Sequence, residues 1–255
     1  MIDDTPQLKI EGSVATVTLN RPEHRNRLHN EDLMQLMTHF EVINNHTSIR
    51  VVVLTAEVLP TKPVFSAGYH LGAGEQEHSD ATFEKVVDAL EALKPVTICA
   101  LNGSVYGGAT DFVLACDFAI GVQGMEMKMP AAALGLHYYP SGISRYVSRL
   151  GLANAKRAFL MASTFKDNEL LAMGYITELV PSNEHTLAVH SLAEQFLKLA
   201  PLALQTLKCS LNEVARGDYN PERLRARQTL TQASQDFAEG KLAFSQRRAP
   251  VFQGR

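Results

Sequence analysis

The chain has 255 residues, 45% of them hydrophobic and 20% charged, which is enough apolar material for one large buried core. A formal net charge of -3 without any Lys/Arg run excludes a general attraction to phosphate backbones, so no nucleic acid partner is expected. The opening MIDDTPQLKI is acidic and polar, and no uncharged apolar stretch reaches membrane-spanning length, so a cytoplasmic protein without membrane contact is expected.

Residues 14–19 are β-branched and alternate, and the polar, proline-bearing NRPEHRNRLHN after them predicts a strand running into a loop. A helix follows, with Asn30 placed to cap it and Leu33, Leu36, Met37, Phe40 and Ile43 forming its apolar face. The short apolar run 51–55 reads as a strand covered on both faces. The irregular stretch 57–77 reads as a long functional loop. A second amphipathic helix carries Phe83, Val86, Val87, Leu90 and Leu93, with Ser79 or Asp80 at its cap and Pro95 stopping it before a strand at 96–101. Gly107 and Gly108 then open a buried helix that leads to a strand at 118–121. From Ile143 onward amphipathic runs dominate, at 153–161, 187–199, 202–215 and 224–237, so the C-terminal third is expected to be helical. The natural division is an α/β core over 1–190 and a helical region over 191–255.

Two segments carry the chemistry. In Val64-Phe65-Ser66-Ala67-Gly68-Tyr69-His70-Leu71, small residues after an apolar pair let backbone approach a ligand closely. In Asn102 through Asp111, a strand ends in a glycine-rich turn that opens a helix, where unpaired N–H groups suit an oxygen gaining negative charge. Cys99, Cys116 and Cys209 are far apart in apolar surroundings and read as reduced core thiols. Histidines 24, 29, 39, 46, 78, 185 and 190 have no partner at ligand spacing and are expected on the surface. With no H-E-x-x-H, cysteine set or acidic calcium loop, no metal is expected.

Taken together, these segments resemble the crotonase (enoyl-CoA hydratase/isomerase) superfamily. Residues 65–71 are similar to its F-S/C-A-G-x-D-L loop, and residues 102–117 to its N-G-x-x-x-G-G-G/A-x-E/D-L-x-x-x-C-D segment. Asn20-Arg21-Pro22 with Asn26 and Leu28 resembles the opening N-R-P-x-x-x-N-x-L motif. Glu239-Gly240, Ala243-Phe244 and Arg247 to Pro250 resemble the C-terminal ending. The resemblance implies an α/β spiral of ββα units with C-terminal helices that build homotrimers, often paired into homohexamers. It implies a coenzyme A thioester as substrate, with no cofactor besides the coenzyme A that the substrate carries. Its oxyanion hole would be the amides of Ala67 and Gly108, with Asp111 as acid/base. Gly68, Tyr69, His70, Leu71, Tyr106, Gly107 and Ala131 would line the thioester, and Arg25 would meet the coenzyme A phosphates.

One departure stands out. The family's Q-P-E-x-x-x-G pattern, which supplies the second catalytic glutamate of its hydratases and, at the same position, the proton shuttle of its Δ3,Δ2-enoyl isomerases, is Met129-Pro130-Ala131-Ala132-Ala133-Leu134-Gly135 here. Ala131 thus stands where that carboxylate belongs, and the resemblance implies neither ordinary hydration nor isomerisation in the usual way. Tyr138 sits where methylmalonyl-CoA decarboxylases of the family carry a tyrosine, flanked by His137 and Tyr139. Three readings follow: a lyase or isomerase using Asp111, a decarboxylase or other enolate-forming enzyme, and a non-catalytic thioester-binding scaffold.

Overall fold

The computed structural model describes residues 4–70 and 80–255. Strand β2 (Val14–Leu19) pairs with the antiparallel edge strand β1 (Gln7–Glu11) on one side and with parallel β3 (Val51–Ala56) on the other. Parallel strands β5 (Val96–Leu101), β7 (Phe118–Val122) and β10 (Glu178–Val180) complete a six-stranded sheet in the order β1-β2-β3-β5-β7-β10. A second sheet of four short strands, β4 (Val64–Ser66), β6 (Ser104–Tyr106), β8 (Glu126–Lys128) and β9 (Thr164–Lys166), runs in that order. Each central pass therefore goes from a long strand to a short one and then to a helix. Helix α2 (Asp80–Glu91) follows β4, α3 (Ala109–Ala115) follows β6, and α4 (Pro140–Leu160) follows β8. This is the ββα spiral that the resemblance implies.

Alternation along the buried strands gives the main sheet two apolar faces. Val52, Leu54, Cys99 and Leu101 join the larger core with α1 (Asn30–Asn45), whose Leu33, Leu36, Phe40 and Ile43 are buried, and with α2 and α3. Val51, Val53, Ile98 and Ala100 face the other way, onto Val189 and Ala193 of α6 (His185–Leu197). The division expected after residue 190 falls inside α6, a helix packed on that sheet.

The C-terminal segment continues from the short α5 (Asp167–Ala172) and α6 into α7 (Pro201–Ala215), α8 (Pro221–Gln232) and α9 (Gln235–Gln246). The single run expected over 224–237 is two helices, because Ser234 caps the second by accepting from the Phe237 N–H at 3.0 Å. The cap of α1 is His29, not Asn30, and its own N–H donates to Asp32 Oδ2 at 2.7 Å. The loop expected over 57–77 contains β4, while its residues 71–77, together with Ser79 and His78, lie outside the described residues. Cys99 and Cys116 are buried, but Cys209 is exposed. His39 and His185 are buried rather than on the surface, each with Nε2 on a backbone carbonyl, of Pro6 and Ile120 respectively. Among the described residues no helix is long and apolar enough to cross a membrane, and no three His, Cys, Asp or Glu converge on a metal position.

Candidate active site

The opening loop after β2 is a scaffold for the first signature segment. Asn26, with φ of 50°, accepts from the Arg21 N–H and donates through Nδ2 to the carbonyl of Glu57 at 2.7 Å. Ser66 Oγ donates to Asn26 O at 2.7 Å and accepts from the Gly68 N–H at 3.1 Å. Leu28 N–H donates to Gly68 O and His70 N–H to Leu28 O, a parallel bridge between Leu28 and Tyr69. Gly68 has φ of 94°, and a Cβ there would lie 2.8 Å from Tyr106 O and 3.2 Å from Gly108 N, so only glycine lets the two signature segments meet.

This stitching corrects one expectation. The Ala67 N–H donates to Arg25 O at 2.8 Å, so that amide is engaged inside the protein and is not available to a substrate oxygen. Because Gly68 O and His70 N–H both serve the Leu28 bridge, the Tyr69 amide between them is directed the other way, by the alternation of extended backbone. It lies beside Gly108, one of the leading amides of α3 that no intrahelical carbonyl can satisfy.

Next to these amides is a cavity of about 150 Å³. Ala67, Tyr69, Tyr106, Gly107, Gly108, Ala131 and Tyr138 line it, as do Phe83 of α2, Tyr139, and Met129, Pro130, Leu134, Leu136 and His137. Seven of the residues singled out in the sequence thus converge on one space. Others do not. Gly68 packs behind the amides, Arg25 is exposed, and Leu71 lies outside the described residues. His70 lies against His29 with ring centroids 4.7 Å apart and planes tilted by 42°, in a second pocket with Arg21, Asn30 and Glu31 that shares Tyr69 with the first.

Asp111 is the main relocation. It is fully buried and does not line the cavity, because Tyr139 stands between. Tyr138 OH donates to Tyr139 OH at 2.9 Å, and Tyr139 OH donates to Asp111 Oδ2 at 2.6 Å. The same Oδ2 accepts from Arg145 Nη1 at 2.6 Å, while Oδ1 is buried with no hydrogen-bond partner. Arg145, on α4 and 2% exposed, also donates to Glu91 Oε1 at 3.1 Å and to Asp88 Oδ1 at 2.6 Å. Glu91 in turn accepts from Arg216 Nη1 at 2.6 Å.

Burial raises the Asp111 carboxyl above the ordinary carboxylate range, with the Arg145 charge and the Tyr139 hydrogen bond pulling against it. Burial and then the Asp111 charge push both phenols, Tyr138 and Tyr139, well above their usual range, so both stay neutral phenols. Burial opposes the charge on Arg145, but Asp111 and Glu91 outweigh it and hold the guanidinium firmly protonated.

Sequence reading named Tyr139 only as a neighbour of Tyr138 and did not find Arg145, whose partners at 88, 91 and 111 are remote in the chain. The tyrosine positions rest on the kink-free start of α4: Gly142, one turn on, leaves room for both rings, since a Cβ there would lie 2.3 Å from Tyr138 and 2.7 Å from Tyr139.

Comparison with known proteins agrees with this architecture. The 2,3-dehydroadipyl-CoA hydratase of Escherichia coli strain K12 is 29% identical over 248 residues, covering 95% of this chain and 96% of its own. The carnitinyl-CoA dehydratase of Salmonella typhi is 27% identical over 266 residues, covering 100% of each. The crystal structure of an enoyl-CoA hydratase/carnithine racemase from Magnetospirillum magneticum superposes with a TM-score of 0.90 at 26% identity, covering 99% of this chain and 96% of that one. The profile of the enoyl-CoA hydratase/isomerase family matches residues 9–255, and the chain belongs to that family.

Proposed function

We propose that the protein is an acyl-CoA enzyme that forms a thioester enolate beside the Tyr69 and Gly108 amides and moves one proton along the Tyr138–Tyr139–Asp111 line. The observation that carries this reading is the line itself, three hydrogen-bonded groups running from the cavity surface to a buried carboxylate. As drawn, each hydroxyl donates inward, so Tyr138 offers lone pairs to the cavity and the line is set to accept. An α-proton leaves its carbon for Tyr138 oxygen as the Tyr138 proton passes to Tyr139 and the Tyr139 proton to Asp111. The C–H electron pair flows to the thioester oxygen, where two amide donors stabilise the charge. Return of the proton to Cα restores the substrate, and return to Cγ of an enolate conjugated with a double bond moves that double bond.

Asp111 thus keeps the acid/base role expected of it, exercised through Tyr139. Addition of water in the manner of a two-carboxylate hydratase is disfavoured, because the strip at 129–136 that would supply the second carboxylate has Ala131 there and carries no ionisable side chain. The hydratase and dehydratase relatives support acyl-CoA as the substrate class. Arg25, exposed on the opening loop, is the proposed contact for the coenzyme A phosphates. A trimer or paired trimers would cover the C-terminal helices, where Leu207, Leu211, Leu230 and Phe244 are 59, 67, 53 and 88% exposed.

The test is a panel of CoA thioesters incubated in D2O and analysed by mass spectrometry: 3-butenoyl, crotonyl, 3-hydroxybutyryl and malonyl-type. Conversion of 3-butenoyl-CoA to its conjugated isomer with deuterium incorporation is the expected result. Loss of carbon dioxide from the malonyl-type thioester would redirect the enolate chemistry to decarboxylation. Rapid hydration of crotonyl-CoA without deuterium exchange in 3-butenoyl-CoA would overturn the one-proton reading, and tight binding with no turnover would make the protein a scaffold.

A further inference from the structure

We propose that Arg145 is a positioning residue that holds Asp111 ready to receive a proton, and that Glu91 is its counterweight, so that the two set the direction of the tyrosine line in opposite senses. The inference rests on the relay described above and concerns what lies behind it.

Oδ2 of Asp111 takes both available donors, Tyr139 and Arg145, while the buried Oδ1 has none. A carboxylate accepts in this way; a neutral carboxylic acid with its proton on Oδ1 would carry a hydroxyl needing an acceptor, and among the described residues Oδ1 has no partner. The arrangement therefore fits the ionised form, although burial favours the neutral one. Arg145 is the group that resolves the conflict, and it is not devoted to Asp111. Its three nitrogens go to three carboxylates, of which Asp111 and Glu91 are buried and Asp88 is 42% exposed. Glu91 both draws on the Arg145 charge and repels Asp111, and Arg216, at the C-cap of α7, shares the load by pairing with its other oxygen. Among the described residues, the other titratable groups that feel Asp111 are Tyr138 and Tyr139 just before α4, Tyr146 within it, and Tyr175. Burial keeps all four phenols protonated, so Arg145 and Glu91 are the charged groups that weigh, in opposite senses, on an Asp111 already raised by burial and held by the Tyr139 hydrogen bond.

The sign follows directly. The relay works only while Asp111 is ionised, so exchange fails as pH falls through its pKa and the acid limb of the rate profile marks that point. Removing the Arg145 charge weakens the ionised form and moves the limb to higher pH. Removing the Glu91 charge strengthens it and moves the limb to lower pH.

The probe is 3-butenoyl-CoA in D2O, with the rate of deuterium incorporation followed against pH for wild type, Arg145→Gln, Arg145→Lys, Glu91→Gln and Tyr139→Phe. Arg145→Gln should lift the acid limb by about 1–3 pH units, the usual reach of one adjacent opposite charge. Arg145→Lys should bring it back toward wild type, and Glu91→Gln should lower it. Limbs that stay in place, or that move the same way in Arg145→Gln and Glu91→Gln, would show Arg145 to be structural and overturn the inference. Should Arg145→Gln fail to fold, Glu91→Gln decides alone, since its amide keeps a carbonyl oxygen for Arg145 or Arg216: a limb that rises or does not move overturns the proposal. Tyr139→Phe separates the two levels. If it exchanges at the wild-type rate, the relay itself is wrong; if it is impaired while the limbs do not move, only the role of Arg145 is lost.

Discussion

Two strips of chain border the cavity within eleven residues of one another, and they are chemically unlike. Residues 129–136 present Met129, Pro130, Ala131, Leu134 and Leu136. Residues 138 and 139 present two phenols backed by Asp111, Arg145 and Glu91. Among the described residues, the buried charge linked to the cavity by hydrogen bonds lies behind the phenols, which are 8 and 9% exposed and on the proposed reading bring a proton path to the surface without bringing a charge. Desolvation accounts for the design: a carboxylate set bare in an apolar cavity would protonate, whereas one held by an arginine behind a tyrosine keeps its charge out of the substrate space. On the proposed reading, the difference suits the cavity to moving a proton, while the 129–136 strip carries no carboxylate to activate water.

The amides serve whatever chemistry the two strips perform, so the largest effect should come from them. Gly108→Pro removes one N–H, and losing a single oxyanion donor costs about 10²–10³-fold in turnover. The ring adds to the loss, because even a Cβ at Gly108 would lie 2.8 Å from Phe83. Turnover and circular dichroism measured together check this, with Gly108→Ala as the partner that keeps the N–H but still displaces Phe83. A folded Gly108→Pro protein with wild-type turnover would remove the amide pair from the mechanism.

Tyr139→Phe is next. It keeps the ring that packs against Phe83 and Tyr138 but cuts the line between Tyr138 and Asp111. Deuterium exchange into 3-butenoyl-CoA should fall by about 10²-fold, the lower end of a general acid/base contribution, with acyl-CoA affinity by calorimetry unchanged. Asp111→Asn should cost about as much, since the carbonyl oxygen of Asn still accepts from Tyr139 and Arg145 but cannot take the proton that ends the line. Its signature is qualitative: with no carboxyl to titrate, the acid limb of the exchange profile should vanish. An acid limb that persists in Asp111→Asn would assign the titration to another group.

These variants also mark how far the sequence could be read. The glycine pair, the helix it opens and the long strands were legible because their signals are local: β-branched runs, caps, and motifs spaced along one segment. Strand β1 was missed although Gln7-Leu8-Lys9-Ile10-Glu11 alternates, because two apolar residues at an edge strand held mainly by backbone pairing with β2 are a faint signal. Strands β9 and β10 are three residues each, too short for a period. The choice between the amides of Ala67 and Tyr69 depends on the register of the Leu28 bridge, a fact about a partner some forty residues away in the chain. Arg145 is the same case, since nothing near it announces Asp88, Glu91 and Asp111. Asp111 was singled out by motif, but its burial behind Tyr139 was not legible, because that is a property of packing and not of spacing.

The smallest expected effect tests the bare strip directly. Ala131 lines the cavity, is 4% exposed, and has φ of -51° and ψ of -52°, ordinary helical backbone that a glutamate can adopt without strain. Its carbonyl already accepts from Leu134 and Leu136, so lengthening the side chain breaks no backbone bond. Ala131→Glu would therefore place a carboxyl in the cavity, where a base could draw a proton from water. A well-placed base contributes about 10²–10⁴-fold, but Met129, Leu134 and Leu136 around it offer no cation, so burial should keep the new group largely neutral. The sign of the pH dependence follows: a carboxyl whose pKa is raised acts as a base only above that pKa, so any gain must grow with alkalinity. Hydration of crotonyl-CoA, measured as the product heavier by one water, should rise only a few-fold over wild type at about pH 7 and more at about pH 9. Ala131→Gln is the steric control, filling the same volume without a titrating group. If Glu proves no better than Gln at either pH, the strip lacks the geometry for water activation as well as the carboxylate. If wild type hydrates at the rate of a two-carboxylate enzyme, the contrast between the two strips is not what decides the reaction.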